Sequence, residues 1–258
     1  MTASLSGKHA VVTGAGRGIG AAIARLLASN GASVSLLGRN LQRLEETART
    51  IGHHTQCFAM DVSDESSVKA AFERIRERNP RIDVLVNNAG QAGSAPFGKT
   101  TLDLWQNMLA VNLTGTFLCT REVLPAMMQQ RHGRIINIAS TAGLIGYAYV
   151  SAYVAAKHGV VGLTRSLALE AAKSGVTVNA LCPGFTDTDI VRDAIANIMQ
   201  KTGKSEDDAR AALTSTNPQG RLVHPEEVAN AVLWLCAPGS EAINGQAIPI
   251  AGGEVMAG

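Results

Sequence analysis

The sequence predicts an α/β fold, a doubly wound parallel sheet of about seven strands with helices on both faces. Three observations lead there. Short apolar runs recur along the chain, and their apolar character is nearly continuous, as in strands covered on both sides. Helical patterns lie between the runs, which implies parallel pairing through crossover helices. A glycine-rich turn joins the first run to the first helical pattern.

In chain order, "HAVVT" (9–13) reads as the first strand. "IGAAIARLLASN" follows as a helix that ends before Gly31, glycine being common just past a helix C-terminus. "SVSLL" (33–37) and "TQCFAM" (55–60) are the second and third strands. "ESSVKAAFERIRERN" is a helix that stops before Pro80, and "IDVLV" (82–86) is the fourth strand. A helical stretch runs from about Thr101 to Gln130. "RIINIA" (134–139) is the fifth strand, a helix carries "SAYVAAK", and "VTVNAL" (176–181) and "QAIPI" (246–250) complete the sheet. No composition break, low-complexity linker or internal repeat interrupts this order, so the prediction is one domain over residues 1–258.

Composition narrows the function. A chain of 258 residues can bury a sizeable core, and its apolar fraction is that of an ordinary globular protein. A net charge of +2 is too small to suggest a nucleic-acid or membrane partner. Cys57, Cys119, Cys182 and Cys236 are far apart, with no metal-site spacing, and read as buried free thiols of a reducing compartment. His53-His54 reads as a solvated turn and not a metal site. "MTASLSGKHA" lacks an apolar signal core, and no apolar run approaches the about 20 residues that cross a bilayer. A soluble, cytoplasmic protein without a bound metal is expected.

"TGAGRGIG" (13–20) lies between the first strand and the first helix. Glycines there permit a tight turn and let backbone N–H groups approach a pyrophosphate, and the helix N-terminus adds partial positive charge. The spacing is Gly14, Gly18, Gly20, not the usual G-x-G-x-x-G, and a structural turn is the alternative. The second strand ends "LLGRN". An acid here, roughly 20 residues past the loop, would bind the ribose 2′-hydroxyl of NAD. Gly38 stands in its place and Arg39 follows, so a guanidinium can pair with a 2′-phosphate, with Arg17 as a second cation. The alternative is that both arginines are solvated. The reading favours NADP(H), with NAD(H) possible.

"SAYVAAK" (151–157) puts Tyr153 and Lys157 on one face of a helix, four residues apart. A tyrosine with pKa near 10 is a poor base at neutral pH. A nearby ammonium favours the phenolate and is expected to lower that value. The pair can equally be two unrelated surface residues.

Together, "TGAGRGIG", "NNAG" (87–90), Asn112, Ser140, "YVAAK" and "PG" (183–184) resemble the short-chain dehydrogenase/reductase family over nearly the whole chain. "RIINIAS", "SAYVAAKHGVVGLT" and "CPGF" look most like the 3-hydroxybutyrate dehydrogenases and the β-ketoacyl or polyketide ketoreductases within it. The resemblance implies a Rossmann-type dinucleotide-binding and catalytic domain that moves a hydride between the nicotinamide and a small ketone or secondary alcohol. It implies Tyr153 as acid or base, Lys157 as its activator and a hold on the nicotinamide ribose, Ser140 as second donor to the carbonyl, and Asn112 as part of a proton relay. It further implies cofactor contacts from Gly14, Arg17, Gly18, Ile19, Gly20 and Arg39. Asp61 and Val62 would border the adenine, and Asn88, Ala89 and Gly90 the ribose. Pro183, Gly184, Thr186 and Thr188 would meet the nicotinamide end. Residues 186–223 would cover the substrate, with Tyr147 lining the pocket. Ala251 stands where the family often has an aspartate. A homotetramer is expected, supported by the apolar breadth of the 101–130 and Tyr153 helices and by the short apolar last strand. Trp105 and Trp234 read as core or interface residues, and His158 as uninvolved.

The substrate expected from the resemblance is a 3-oxoacyl or 3-hydroxyacyl compound. An NAD-dependent dehydrogenase of a 3-hydroxy acid or cyclic alcohol is the alternative. A nucleotide-sensing regulator that never turns over is a rival of another class, but such a protein can lack the Ser, Tyr and Lys that this chain retains.

Overall fold

In the computed structural model, which describes residues 5–52 and 55–256, seven strands form one sheet in the order β3-β2-β1-β4-β5-β6-β7. They are β1 His9–Thr13, β2 Ser33–Gly38, β3 Thr55–Ala59, β4 Val84–Asn87, β5 Gly133–Ile138, β6 Val176–Pro183 and β7 Ala247–Ile250. Every pairing is parallel. The fourth strand starts later than its apolar run suggests, at Val84; just before it the buried Asp83 carboxylate accepts from Lys8 Nζ, the His9 N–H and Arg81 Nε.

Side chains alternate across the sheet, which explains the unbroken apolar runs. Val12, Leu36 and Val86 face a core built with α1 (Gly18–Ser29), α2 (Leu41–Ile51) and α9 (Pro225–Cys236), through Ile23, Leu27, Leu44, Val228 and Val232. Their neighbours Val11, Leu37 and Leu85 face the opposite core. That core is built with α3 (Glu65–Arg78), α5 (Gly115–Gln129) and α6 (Ser151–Ala171), through Phe72, Leu124, Met127 and Ala168. Local chemistry starts the helices as expected. Asn40 accepts a hydrogen bond from the Arg43 N–H at the start of α2, and Asp64 accepts from Ser66 and Ser67 at the start of α3.

The 101–130 stretch is not one regular helix. α4 (Leu102–Leu109) runs into a π-helical turn at Ala110–Thr114, and α5 follows. The π turn carries Asn112. The polar 186–223 segment forms α7 (Asp189–Thr202) and α8 (Glu206–Thr214) around a small core of Val191, Ile195, Ala209 and Leu222. Its two ends meet, Thr186 bridging Val223, so it leaves and rejoins the body at one place.

The four cysteines are free; Cys57 is half-buried on an outer strand and the other three are buried. Among the described residues no helix is long and apolar enough to cross a membrane, and no group of three or more His, Cys, Asp or Glu could hold a metal. The His53-His54 pair and residues 1–4 lie outside the described residues.

Candidate active site

The strand order reverses at β1, which lies between β2 and β4. In open α/β sheets the crevice for a ligand opens beyond the carboxyl ends of the strands at such a point. The glycine turn leaves β1 there. Gly14 and Gly18 have φ of 65° and 52°, values that L side chains rarely adopt. A Cβ on Gly20 would lie 2.3 Å from the Gly14 carbonyl oxygen and 2.5 Å from Asn88 Nδ2. The Asn88 amide donates to the carbonyls of Thr13 (2.9 Å) and Gly14 (3.2 Å). Thr13 Oγ1 in turn accepts from the backbone N–H groups of Asn88 (3.0 Å) and Ala89 (2.9 Å). The glycine turn and the loop after β4 are thus one rigid piece. Sequence reasoning missed Thr13; a hydroxyl at the strand end beside "NNAG" was the available signal.

α1 begins at this turn, with Ile19 in its first turn packed toward the core. Arg17 makes no side-chain cap and the first turn holds no acid, so the helix keeps its positive end for an anion. The narrow glycine cradle and the uncapped helix start fit the pyrophosphate of a dinucleotide. Arg39 is exposed at the end of β2, directly after Gly38. Arg43 also lies over the turn, since a Cβ on Gly16 would sit 3.1 Å from its Cβ. The Arg17 guanidinium, in the same turn, pairs with Asp189 on α7 at 3.0 Å, tying the glycine turn to the 186–223 segment.

Asp61 Oδ1 accepts from the Ser63 N–H (2.9 Å) and hydroxyl (2.6 Å), so its carboxylate caps a turn. Val62 is buried against Gly115, where a Cβ would come within 2.8 Å of the Val62 Cβ. Pro183 ends β6. The Gly184 N–H bonds the Ile250 carbonyl, Thr186 Oγ1 bonds the Gly184 carbonyl and Thr188 Oγ1 the Thr186 carbonyl. A Cβ on Gly18 would meet the Thr188 methyl at 3.1 Å, which puts the base of the 186–223 segment on the glycine turn.

Asn112, Ser140, Tyr153 and Lys157 converge beside this cradle. A Cβ on Gly90 would lie 2.9 Å from Asn112 Oδ1 and 3.7 Å from Lys157 Nζ. The Lys157 ammonium is buried, donates to the Ile138 carbonyl at 2.8 Å, and sits 5.6 Å from the centroid of the Tyr153 ring. Ser140 follows β5, caps the short turn at Thr141–Gly143 by accepting from the Ala142 N–H, and hydrogen-bonds Tyr153. It is therefore both a strand-end cap and a partner of the phenol. The Asn112 amide donates to the carbonyls of Gln91 and Met108, both at 3.0 Å, and its oxygen accepts from the Gln91 N–H. Both amide protons are thereby held by the backbone.

One electrostatic expectation is overturned. Tyr153 does not become more acidic beside Lys157. Burial raises it above its ordinary value of 10, with the Ser140 hydrogen bond pulling the other way. Burial also lowers Lys157 from 10.5 to about 8. For both groups loss of water is the largest cause. The phenol therefore keeps its proton at neutral pH. The Cys182 thiol lies nearby and burial pushes it up to about 11.

Below the site runs a buried polar ladder that sequence reasoning missed. The Asn87 amide bonds Thr120 Oγ1 and Asn137 Oδ1, and the Asn137 amide bonds Thr164 Oγ1, all within 2.8–2.9 Å. It pins β4, β5, α5 and α6 together just beneath Ser140 and Lys157. At the mouth, Tyr147 stacks edge-on against Phe185, with ring centroids 6.3 Å apart, and its hydroxyl meets Thr141 and Glu254. Tyr149 is exposed, and His158 points outward with its ring against the Val154 carbonyl. Trp105 is half-buried, whereas Trp234 is 51 % exposed and is not a core residue.

Residues 8–198 match the family described as short chain dehydrogenase. The chain belongs to that family. It is 39 % identical over 253 residues to the 3-oxoacyl-(acyl-carrier-protein) reductase of Vibrio harveyi, covering 98 % of this chain and 99 % of that one. An actinorhodin polyketide ketoreductase crystallised with NADPH is 38 % identical with a TM-score of 0.91, covering 98 % and 99 % of the two chains. A structure named ribose-5-phosphate isomerase, from Brucella melitensis 16M, is 35 % identical with a TM-score of 0.90, covering 100 % and 96 %. This short-chain dehydrogenase is an NAD(P)-dependent oxidoreductase acting on CH–OH groups. Near-identity of fold extends to proteins named for different activities, so the backbone alone does not choose the substrate.

Proposed function

We propose that this chain is an NADPH-preferring reductase of 3-oxoacyl-type ketones, with Ser140, Tyr153, Lys157 and Asn112 as its working residues. The observation that carries the reading is the half-buried phenol of Tyr153, bonded to Ser140 and with its ring centroid 5.6 Å from Lys157 Nζ, at the end of the glycine cradle. The nicotinamide, when bound, supplies the hydride. Ser140 and Tyr153 hydrogen-bond the ketone oxygen and orient it. Tyr153 gives its proton as that oxygen gains negative charge, and the Lys157 ammonium stabilises the phenolate left behind. Asn112, with both amide protons engaged, keeps Gln91 and the neighbouring Gly90 in place beside Lys157, so its part is positioning. Gly14, Gly18, Ile19, Gly20, Asn88, Ala89 and Gly90 line the dinucleotide. Asp61 and Val62 border the adenine, and Pro183, Gly184, Thr186 and Thr188 the nicotinamide end. Arg39, and Arg43 beside it, take the 2′-phosphate.

The whole chain serves as one catalytic unit, with 186–223 as the substrate cover, in a cytoplasmic homotetramer. Exposed Phe117 and Leu169 on α5 and α6, and the half-buried apolar edge strand β7, support assembly through twofold contacts.

The test is reduction of 3-oxoacyl thioesters, β-keto esters and acids, and cyclic ketones with each cofactor. The expected kcat/KM ratio of NADPH to NADH is about ten- to a hundredfold, the worth of one charge-assisted pair to a phosphate, and Gly38→Asp should invert it. No consumption of either nucleotide refutes the reductase reading. An NADH preference overturns the cofactor reading alone. Light scattering on the eluting protein should give four chains; a monomeric mass overturns the assembly.

A further inference from the structure

Glu254 lies in the short tail after β7, where its backbone N–H bonds the Ala251 carbonyl. Its Oε1 accepts from the Tyr147 hydroxyl at 2.7 Å and from Thr216 Oγ1 at 2.7 Å. The Tyr147 hydroxyl also lies 2.8 Å from Thr141 Oγ1. It has one proton, and an ionised carboxylate can only accept, so Tyr147 donates to Glu254 and Thr141 donates to Tyr147. Thr141 follows Ser140 directly. Glu254 is thus linked to the reacting end of the cleft by two hydrogen bonds, and to the 186–223 segment by Thr216.

Both donors use the same oxygen. Oε2 accepts no hydrogen bond among the described residues and lies 3.0 Å from where a Cβ on Gly184 would be. None of the ion pairs among the described residues includes Glu254. The mouth of the cleft therefore carries a carboxylate held in place by hydroxyls, with no cation beside it and one oxygen open.

We propose that Glu254 sets the charge class of the substrate, admitting ketones that are uncharged near the carbonyl and turning away free 3-oxo acids. The inference rests on the ketone-reductase reading and sharpens it. A 3-oxo acid places its carboxylate two carbons from the reacting carbonyl. With that carbonyl on Ser140 and Tyr153, the two negative charges share a small, partly desolvated space and repel. An ester, thioester or amide of the same acid brings no such charge, and a hydroxyl or amide N–H on it can donate to Oε2.

The test compares kcat/KM for acetoacetate and for ethyl acetoacetate in the wild type, Glu254→Gln and Glu254→Asp. The wild type should favour the ester. Glu254→Gln keeps the size of the side chain and removes its charge, and should raise the acid-to-ester ratio by about ten- to a hundredfold. Glu254→Asp keeps the charge and should stay near the wild-type ratio. A Gln variant with an unchanged ratio, or a wild type that favours the acid, overturns the proposal. Should no ketone be reduced, the reductase reading fails by itself. The charge rule is then read from calorimetric binding of 3-hydroxybutyrate and its methyl ester to the NADPH-loaded protein. Equal affinities would overturn it, and tighter binding of the ester would uphold it.

Discussion

Lys157→Met should make the nucleotide-free protein more stable and catalytically dead. The lysine is 4 % exposed, and its value falls from 10.5 to about 8 because burial disfavours the ammonium. A displacement of that size corresponds to about 3 kcal/mol against holding the charge in the folded state below pH 8. The sign follows from proton counts. Between about pH 8 and 10.5 the unfolded chain binds the proton and the folded chain does not, so stability rises with pH across that window. Below it the full penalty stands. Methionine keeps most of the volume and carries no charge, but it leaves the Ile138 carbonyl without its 2.8 Å donor, which costs about 1 kcal/mol or more. The net expectation at pH 7 is a gain of about 1–2 kcal/mol, a Tm increase of roughly 2–8 °C for a chain of this size. The gain should vanish at pH 10.5. Thermal melts at pH 7 and pH 10.5 measure it, with ketone reduction followed in parallel. A variant less stable than the wild type at pH 7 would refute the claim that desolvation governs this lysine.

Three further changes probe the same site. Tyr153→Phe keeps the ring and removes the proton, so turnover should fall by ~10²–10⁴ while NADPH fluorescence titration still shows binding; near wild-type turnover would contradict the assigned donor. Gly20→Ala forces a methyl group within 2.3 Å of the Gly14 carbonyl oxygen, which should destabilise the protein by about 1–3 kcal/mol and weaken nucleotide binding at least tenfold, readable by denaturant titration and fluorescence. Asn112→Ala strips partners from Gln91 and Met108. It should cost about 2–3 kcal/mol and speed amide exchange at Gln91, whereas a residue serving only as a proton conduit would change turnover and leave that exchange rate alone.

The fold was legible because its signal is local. Val11 and Val12 are both fully buried, one on each face of the sheet, and only a doubly covered strand needs such a run. The glycine turn was legible for the same reason: Gly14 and Gly18 take left-handed φ values, and Gly20 has no room for a Cβ. Long-range geometry was not legible. Glu254 reaches Tyr147 across 107 positions, and Arg17 reaches Asp189 across 172, so neither partner has a signature in its own neighbourhood. The error over Tyr153 has a different cause. Helical spacing correctly put Lys157 near the ring, but spacing carries no information on how much water the fold removes from both groups.

The π turn at Ala110–Thr114 shows how sequence and site are coupled. In a regular α-helix the Asn112 N–H would bond the Met108 carbonyl, four residues earlier. In the π turn that follows, the Gly115 N–H bonds the Ala110 carbonyl, five residues earlier. The Asn112 side chain donates to the Met108 carbonyl at 3.0 Å, and its remaining amide proton and its oxygen clamp Gln91. A side chain without an amide could not do both, since the clamp needs two protons and an acceptor on one short arm. The irregular turn carries the asparagine that makes this clamp. Together they set the loop after β4, and with it Gly90, against Lys157. The departure from helical geometry is confined to Ala110–Thr114. The price of the site is concentrated instead at Lys157, where the charge needed beside Tyr153 is the group the folded interior holds least favourably.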